Sequence, residues 1–239
     1  MAKKPTACAV IVAAGSGTRM KQFKKKDGTS VNKVFRSIGE VPVIAHTLHA
    51  FEQTDCISEI VIVTREADIA ELAQLVKAFD FKKISSIVAG GDTRQQSVAN
   101  GLAEVKSEIV LIHDGARALI TPETIKRVYN GVCTGTAAGV TAAVRVKDTI
   151  KRADQNDVVL ESIPRETLWS IQTPQGFYTE DIIEFHRRGA AAGAVFTDDC
   201  MAAEFCGAKV QLVEGDYTNI KITTEEDMAY AEFLIAKEN

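Results

Sequence analysis

Long hydrophobic runs, paired cysteines and a surplus of positive charge are all missing from this chain of 239 residues. No apolar stretch approaches the length of a membrane-spanning helix, which excludes a helical membrane anchor. The formal net charge is −4 at pH 7, so there is no global basic field of the kind nucleic-acid binders carry. The five cysteines (Cys8, Cys56, Cys133, Cys200, Cys206) are scattered and include no Cys-x-x-Cys pair. An odd, unpatterned set of this kind is neither a disulfide framework nor a zinc site, and it reads as the reduced thiols of a cytoplasmic protein. Nucleophilic catalysis lacks its parts as well, because His46 and His49 fall on a predicted helix with no Ser or Cys partner near them in sequence. Two common phosphate loops fail in detail. Met20 stands where the dinucleotide fingerprint needs its third glycine, and the Gly-Lys-Ser/Thr of the P-loop is absent. A signal peptide is not expected either: the apolar stretch after Lys3 and Lys4 is short, broken by Thr6, and ends in a glycine turn.

What the chain does have is 46% hydrophobic residues, enough for a sizeable core. "CAVIVAA" at 8–14 is short, β-branched in its middle and followed by glycine, so it reads as a buried strand. Further strands are expected at "EIVIV" (59–63), "KISSIVAG" (83–90), "EIVLIHD" (108–114) and "KVQLVEG" (209–215). Helices are expected between them: one starting near Pro42 with Ile44, Leu48 and Phe51 on one face, one over 66–79, and one carrying Val98, Leu102 and Val105 at i, i+4, i+7. Thr121-Pro122 opens another, and Thr224 with Asp227 caps a terminal helix. This alternation predicts an α/β fold, a mostly parallel sheet with helices on both faces. The rhythm changes at 145–167, which is charged, poor in core-sized positions and contains the turn-like "ADQND". It reads as a β-hairpin arm that leaves the body, and such a hairpin is marginal alone.

In an open α/β sheet, ligands gather outside the carboxyl ends of the strands. Four features fall there. "GSGTRMK" at 15–21 combines small residues with Arg19 and Lys21, as a polyphosphate requires. "GGDTRQQS" at 90–97 runs a glycine pair into a helix start, where Gly91 permits close approach and Asp92 and Ser97 either bond a base or ribose or simply cap the turn. "HDGAR" at 113–117 ends a strand in Asp114, a sugar or metal–phosphate ligand or a helix cap, with Arg117 available to a second phosphate. "NIKIT" at 219–223 brings a lysine off a strand end. The adjacent acids Asp198 and Asp199 need not point the same way and are not read as metal ligands. Together these features describe an electrostatic site for phosphates, in which fixed cations stabilise a transferring phosphoryl group without a covalent intermediate.

The ordered set "AAGSGTRM", "GGDTRQQSV", "HDGAR", "VKDTIKR", "QTPQGF", "FTDD" and "NIKIT" resembles the 2-C-methyl-D-erythritol 4-phosphate cytidylyltransferases over nearly the whole chain. The resemblance implies a Rossmann-like nucleotidyltransferase domain over 1–239, CTP and the sugar phosphate as substrates, Mg²⁺ as cofactor, and a homodimer with a dimerisation arm near 145–167. By the same resemblance Ala13, Ala14, Gly15 and Gly17 form the CTP loop, with Arg19 on the triphosphate and Lys33 as its partner in transition-state stabilisation. Gly91, Asp92, Ser97, Asp114 and Gly115 are expected to contact cytidine, and Arg117, Thr149, Arg165 and Lys221 to position the sugar phosphate. The chain departs from the family where "QFKKKDGTSVN" separates Arg19 from Lys33, which makes Lys24, Lys25 and Lys26 rivals for the second charge. A cytidylyltransferase for another polyol phosphate, such as ribitol 5-phosphate, is the alternative, and Ala13-Ala14 with Gly115-Ala116 favour methylerythritol. A non-catalytic nucleotide-binding protein would have lost Arg19 or the late lysine, and both are present.

Overall fold

A computed structural model describes residues 5–15 and 32–238. The strands are β1 (Ala7–Val12), β2 (Ser37–Ile38), β3 (Val41–Pro42), β4 (Ile57–Thr64), β5 (Ile84–Ala89), β6 (Ile109–Asp114), β7 (Gly139–Arg145), β8 (Ile150–Ala153), β9 (Val159–Ile163), β10 (Trp169–Tyr178) and β11 (Val210–Glu214). The helices are α1 (Val43–Glu52), α2 (Ile69–Ala78), α3 (Arg94–Leu102), α4 (Pro122–Cys133), α5 (Thr179–Ala191), α6 (Asp199–Phe205) and α7 (Glu225–Glu238). Seven strands form one sheet in the order β11-β7-β10-β6-β1-β4-β5. All neighbours run parallel except β10, which is antiparallel to both β6 and β7.

Side chains alternate across a strand, and β1 divides the core accordingly. Ala7, Ala9 and Ile11 face α1, α2 and α4, whereas Cys8 and Val10 face α3, α5 and α6. Helices therefore cover both faces, as the alternating pattern predicted. A third cluster, including Ile38, Val43, Ile222 and Met228, seats α7. Local signals explain the helix starts. Thr93 and Gln96 close a capping box on α3, and Thr121 caps α4 with Pro122 in its first turn. Thr224 and Asp227 cap α7 reciprocally, each side chain accepting the other's backbone N–H at 3.2 and 2.8 Å.

Several expectations need correcting. The first strand ends at Val12, and Ala13 and Ala14 belong to the turn after it. The helix expected over 66–79 begins as a 3-10 turn, Glu66–Asp68. Val105 lies beyond the end of α3 and packs on the core from the following turn. The segment "NIKIT" is not a strand end but part of the loop between β11 and α7. Strand β10 carries no apolar alternation because Gln172, Thr173 and Gln175, all buried, occupy positions where a core strand usually has aliphatic residues. The arm is a hairpin of β8 and β9, with the turn between them closed by Asp154 accepting the N–H groups of Asn156 and Val158, both at 2.9 Å.

Candidate active site

A cavity of about 500 Å³ opens at the carboxyl ends of β1, β5 and β6. Ala13, Ala14 and Gly15 line it from the turn after β1, Gly91 and Asp92 from the turn after β5, Ser97 from the first turns of α3, and Asp114 from the end of β6. Lys33 and Lys221, also expected, line it too. A Cβ on Gly90 would stand 2.5 Å from Ala14 Cβ and 2.8 Å from Ser97 Oγ. Gly90, more than the predicted Gly91, is thus the residue whose bareness lets the two turns touch. Gly17, Arg19, Lys21 and Lys24–Lys26 lie outside the described residues.

Ser97 is buried, and its hydroxyl accepts Gly91 N–H at 3.1 Å and donates to Thr93 O at 2.9 Å. It shapes the glycine turn. Gly115 is buried against Ile44 and Ala13 and donates its N–H to Val12 O at 2.9 Å, which ties β6 to the first turn. Arg117 stands behind Asp114, its Nη1 donating to Asn219 O at 2.8 Å, and does not line the cavity. Thr149 and Arg165 lie on the arm, also outside the cavity, with Arg165 Nη1 donating to Lys147 O at 3.0 Å.

Asp114 is the electrostatic centre. Lys221 Nζ is 2.8 Å from its Oδ2, Arg94 Nε 3.6 Å from its Oδ1, and Arg117 Nε 3.7 Å from its Oδ2. Burial alone would raise the pKa of this carboxyl, but Lys221, Arg94 and Arg117 hold it well below the usual carboxylate range. Lys221 is consequently an ion-pair member rather than the freely solvated residue that a lone surface lysine would be. Lys33 Nζ donates to Ile222 O at 2.7 Å, beside Lys221 in sequence, so both lysines are tied to the 219–223 loop. Arg94 pairs with Asp199 at 2.7 Å, and the two acids outweigh the effect of burial, raising its pKa.

Sequence reasoning missed Asn32, Arg94 and Thr223, which also line the cavity. Asn32 caps the 3-10 turn that starts at Lys33 and donates to Ala13 O at 2.8 Å and to Asp68 at 3.0 Å, fixing where that lysine leaves the chain. Arg94 sits inside a motif read only for its glycine, acid and hydroxyl. Polar β10 supplies the supports. Gln172 Nε2 donates to Asp216 O at 2.7 Å, and its Oε1 accepts from Asn219 Nδ2 at 3.2 Å, pinning the loop that carries Lys221. Thr173 Oγ1 accepts Asp114 N–H at 3.1 Å and meets His113 Nδ1 at 2.9 Å. His113 Nε2 faces Arg117 O at 3.3 Å, an acceptor only, so Nε2 carries the proton and Thr173 donates to Nδ1. Burial drops the His113 pKa from 6.5 to about 3, in keeping with this neutral tautomer.

A resident metal ion does not fit this donor set. Asp114 is already compensated by cations, and among the described residues no group of three or more His, Cys, Asp or Glu is arranged to hold a metal ion. Among the described residues no helix is long and apolar enough to cross a membrane.

The family model described as 2-C-methyl-D-erythritol 4-phosphate cytidylyltransferase matches residues 7–237. The chain is 44% identical to the protein of that name from Caldanaerobacter subterraneus, over 96% of this chain and 98% of the relative. It is 42% identical to the one from Clostridium tetani, over 97% and 91%. Among solved structures, 4-diphosphocytidyl-2C-methyl-D-erythritol synthase from Anaerococcus prevotii superposes with a TM-score of 0.83 at 30% identity, covering 97% of this chain and 96% of that one. The cytidylyltransferase from Thermus thermophilus gives 0.76 at 27% identity, covering 95% and 98%.

Proposed function

The chain belongs to the 2-C-methyl-D-erythritol 4-phosphate cytidylyltransferase family, and from this premise we propose how its own residues divide the work. The enzyme transfers CMP from CTP to 2-C-methyl-D-erythritol 4-phosphate. A phosphate oxygen of the sugar attacks the α-phosphorus, the bond to the β-phosphate oxygen breaks, and pyrophosphate leaves. Two anions must approach, so most of the catalytic task is neutralisation and alignment. The turns at 13–15 and 90–92 are assigned to the nucleotide, and Asp92, which lines the cavity and is exposed, to cytidine. We assign Lys33 and Arg19 to the triphosphate, and Lys221 to the phosphate of the incoming sugar. Mg²⁺ enters with CTP as part of that substrate, held by phosphate oxygens in the way this ion prefers. The observation that carries the reading is the gathering of Lys33, Arg94 and Lys221 around one cavity at the strand ends.

The arm completes the site in a homodimer. Val158, Val159 and Leu160 are 58, 56 and 62% exposed, an apolar stretch entering β9 just past the polar turn at 154–157. At its root Arg145 stacks on Trp169 at 4.0 Å and Lys147 on Tyr217 at 3.5 Å, so the arm projects from a stiff base. We assign Thr149 and Arg165 to the partner's sugar-phosphate site. The five free thiols suit a cytoplasmic enzyme. Pyrophosphate release with CTP tests the assignment of substrate: methylerythritol phosphate should support turnover and ribitol 5-phosphate should not, and the reverse order would overturn it.

A further inference from the structure

Lys221 holds Asp114 at 2.8 Å, yet the reaction needs that lysine on a phosphate. A carboxylate only 7% exposed that loses its nearest cation must keep another or swing away. Two cations would remain: Arg117, whose Nε lies 3.7 Å from the Oδ2 that Lys221 would release, and Arg94, whose Nε lies 3.6 Å from Oδ1 and alone faces the oxygen that Lys221 does not hold. An arginine in a cavity wall would itself turn toward an incoming triphosphate, because a guanidinium fork matches phosphate oxygens well. Asp199 opposes that. It is 0% exposed, and its Oδ2 accepts from Arg94 Nη2 at 2.7 Å while its Oδ1 meets His186 Nε2 at 3.1 Å. Its backbone N–H donates to Gln175 Oε1 at 2.9 Å, and the same glutamine donates to Asp198 at 2.9 Å, so the start of α6 is fixed to β10.

We propose that Asp199 is a positioning residue: it anchors the Arg94 guanidinium beside Asp114, so that Lys221 can leave Asp114 for a substrate phosphate without the carboxylate moving. The proposal rests on the reading of Lys221 as a substrate ligand. Asp199 does not line the cavity. It acts through Arg94.

The test is a cycle. Pyrophosphate release with CTP and methylerythritol phosphate is measured per folded enzyme for Asp199→Asn, Arg94→Gln, both together, and Arg94→Lys. The two single changes should each lower kcat by about tenfold or more with KM for CTP within about threefold, a loss confined to turnover. The double variant should fall within about twofold of Arg94→Gln, because both changes remove one unit. Arg94→Lys, which keeps the cation, should regain most of the loss. If Asp199 were only structural, Asp199→Asn would lower the melting temperature and leave kcat per folded enzyme unchanged. That result, or a double variant whose loss is the product of the single losses, overturns the proposal. Should Asp199→Asn not fold, Arg94→Gln and Arg94→Lys decide alone, and equal losses in the two overturn it. Lys221→Ala is run alongside. Normal turnover there sinks the premise, whereas a dead Lys221→Ala beside an unimpaired Asp199→Asn sinks only the role of Asp199.

Discussion

Lys221 is already paired before any substrate arrives, and this changes what its removal should do. Lys221→Ala should lower turnover by on the order of a hundredfold, as when a charge aimed at the transition state is lost. It should also cost stability on the order of 1 kcal/mol, a modest figure because the lysine is 37% exposed. Steady-state kinetics and a urea midpoint check the two together, and unchanged turnover would remove Lys221 from the site. His113 offers a pH test. Its folded pKa of about 3 lies below the 6.5 of an unperturbed histidine, so the unfolded chain takes up the proton first. Its contribution is therefore complete above about pH 6.5 and is lost as pH falls from there toward 3. Asp114 and Asp199, both depressed, lose theirs as pH falls from the ordinary carboxylate value toward their lower folded values, and both are common to the two proteins. His46, also depressed by burial, titrates in the same direction as His113 but is common to both proteins. Between pH 4 and 6.5 the urea midpoint of His113→Asn should accordingly fall less steeply than that of the natural protein, and equal slopes would contradict the neutral buried role. At this scale the sequence discloses residue types but not pairings. Asp114 and Lys221 were legible as acid and lysine, but the Arg94–Asp199 pair joins residues 105 positions apart.

Helix α3 sets the wall that carries Arg94 and Ser97, and Gly101 sets how close that helix comes to the sheet. A Cβ there would stand 2.6 Å from Val10 Cγ1 and 2.7 Å from Val63 Cγ2, both fully buried residues. Gly101→Ala gains in helix propensity but must push α3 off β1 and β4, at a net cost of about 1–3 kcal/mol. A calorimetric melt should show the loss, and a stabilised variant would mean that the helix sits farther out than its contacts say. Much of the element pattern was readable, because buried parallel strands are short apolar runs and the helices carry their own caps. Strand β10 was not, since a strand whose interior is Gln172, Thr173 and Gln175 has no hydrophobic period to read. Its polar side chains hold the Lys221 loop, His113 and the start of α6, so the motif "QTPQGF" marks a supporting strand. The loop at 219–223 is no strand end, because its backbone bonds to Ala116 and its Ile222 packs with α7 instead of on the sheet.

Arg165 and Thr149 stand outside the cavity of their own chain, while the nucleotide turns, Lys33 and Lys221 are within it. For the arm to serve catalysis it must serve another molecule's cavity, and a two-fold axis makes that exchange mutual. Its composition, charged and poor in core-sized positions, was legible as an element leaving the body, but no sequence pattern says where it lands. Two variants, Lys33→Ala with an intact arm and Arg165→Ala with an intact cavity, are each expected to be inactive alone. Unfolded together in equal amounts and refolded, they should pair at random, so about half of the dimers are mixed. A mixed dimer holds one site with both defects and one with neither, so roughly a quarter of all sites should recover. If the arm folded back onto its own chain, every site would keep one defect and activity would stay near zero. Mass measurement of the mixed dimers makes the two outcomes distinct, and absence of recovery with mixed dimers present would return the arm to its own subunit.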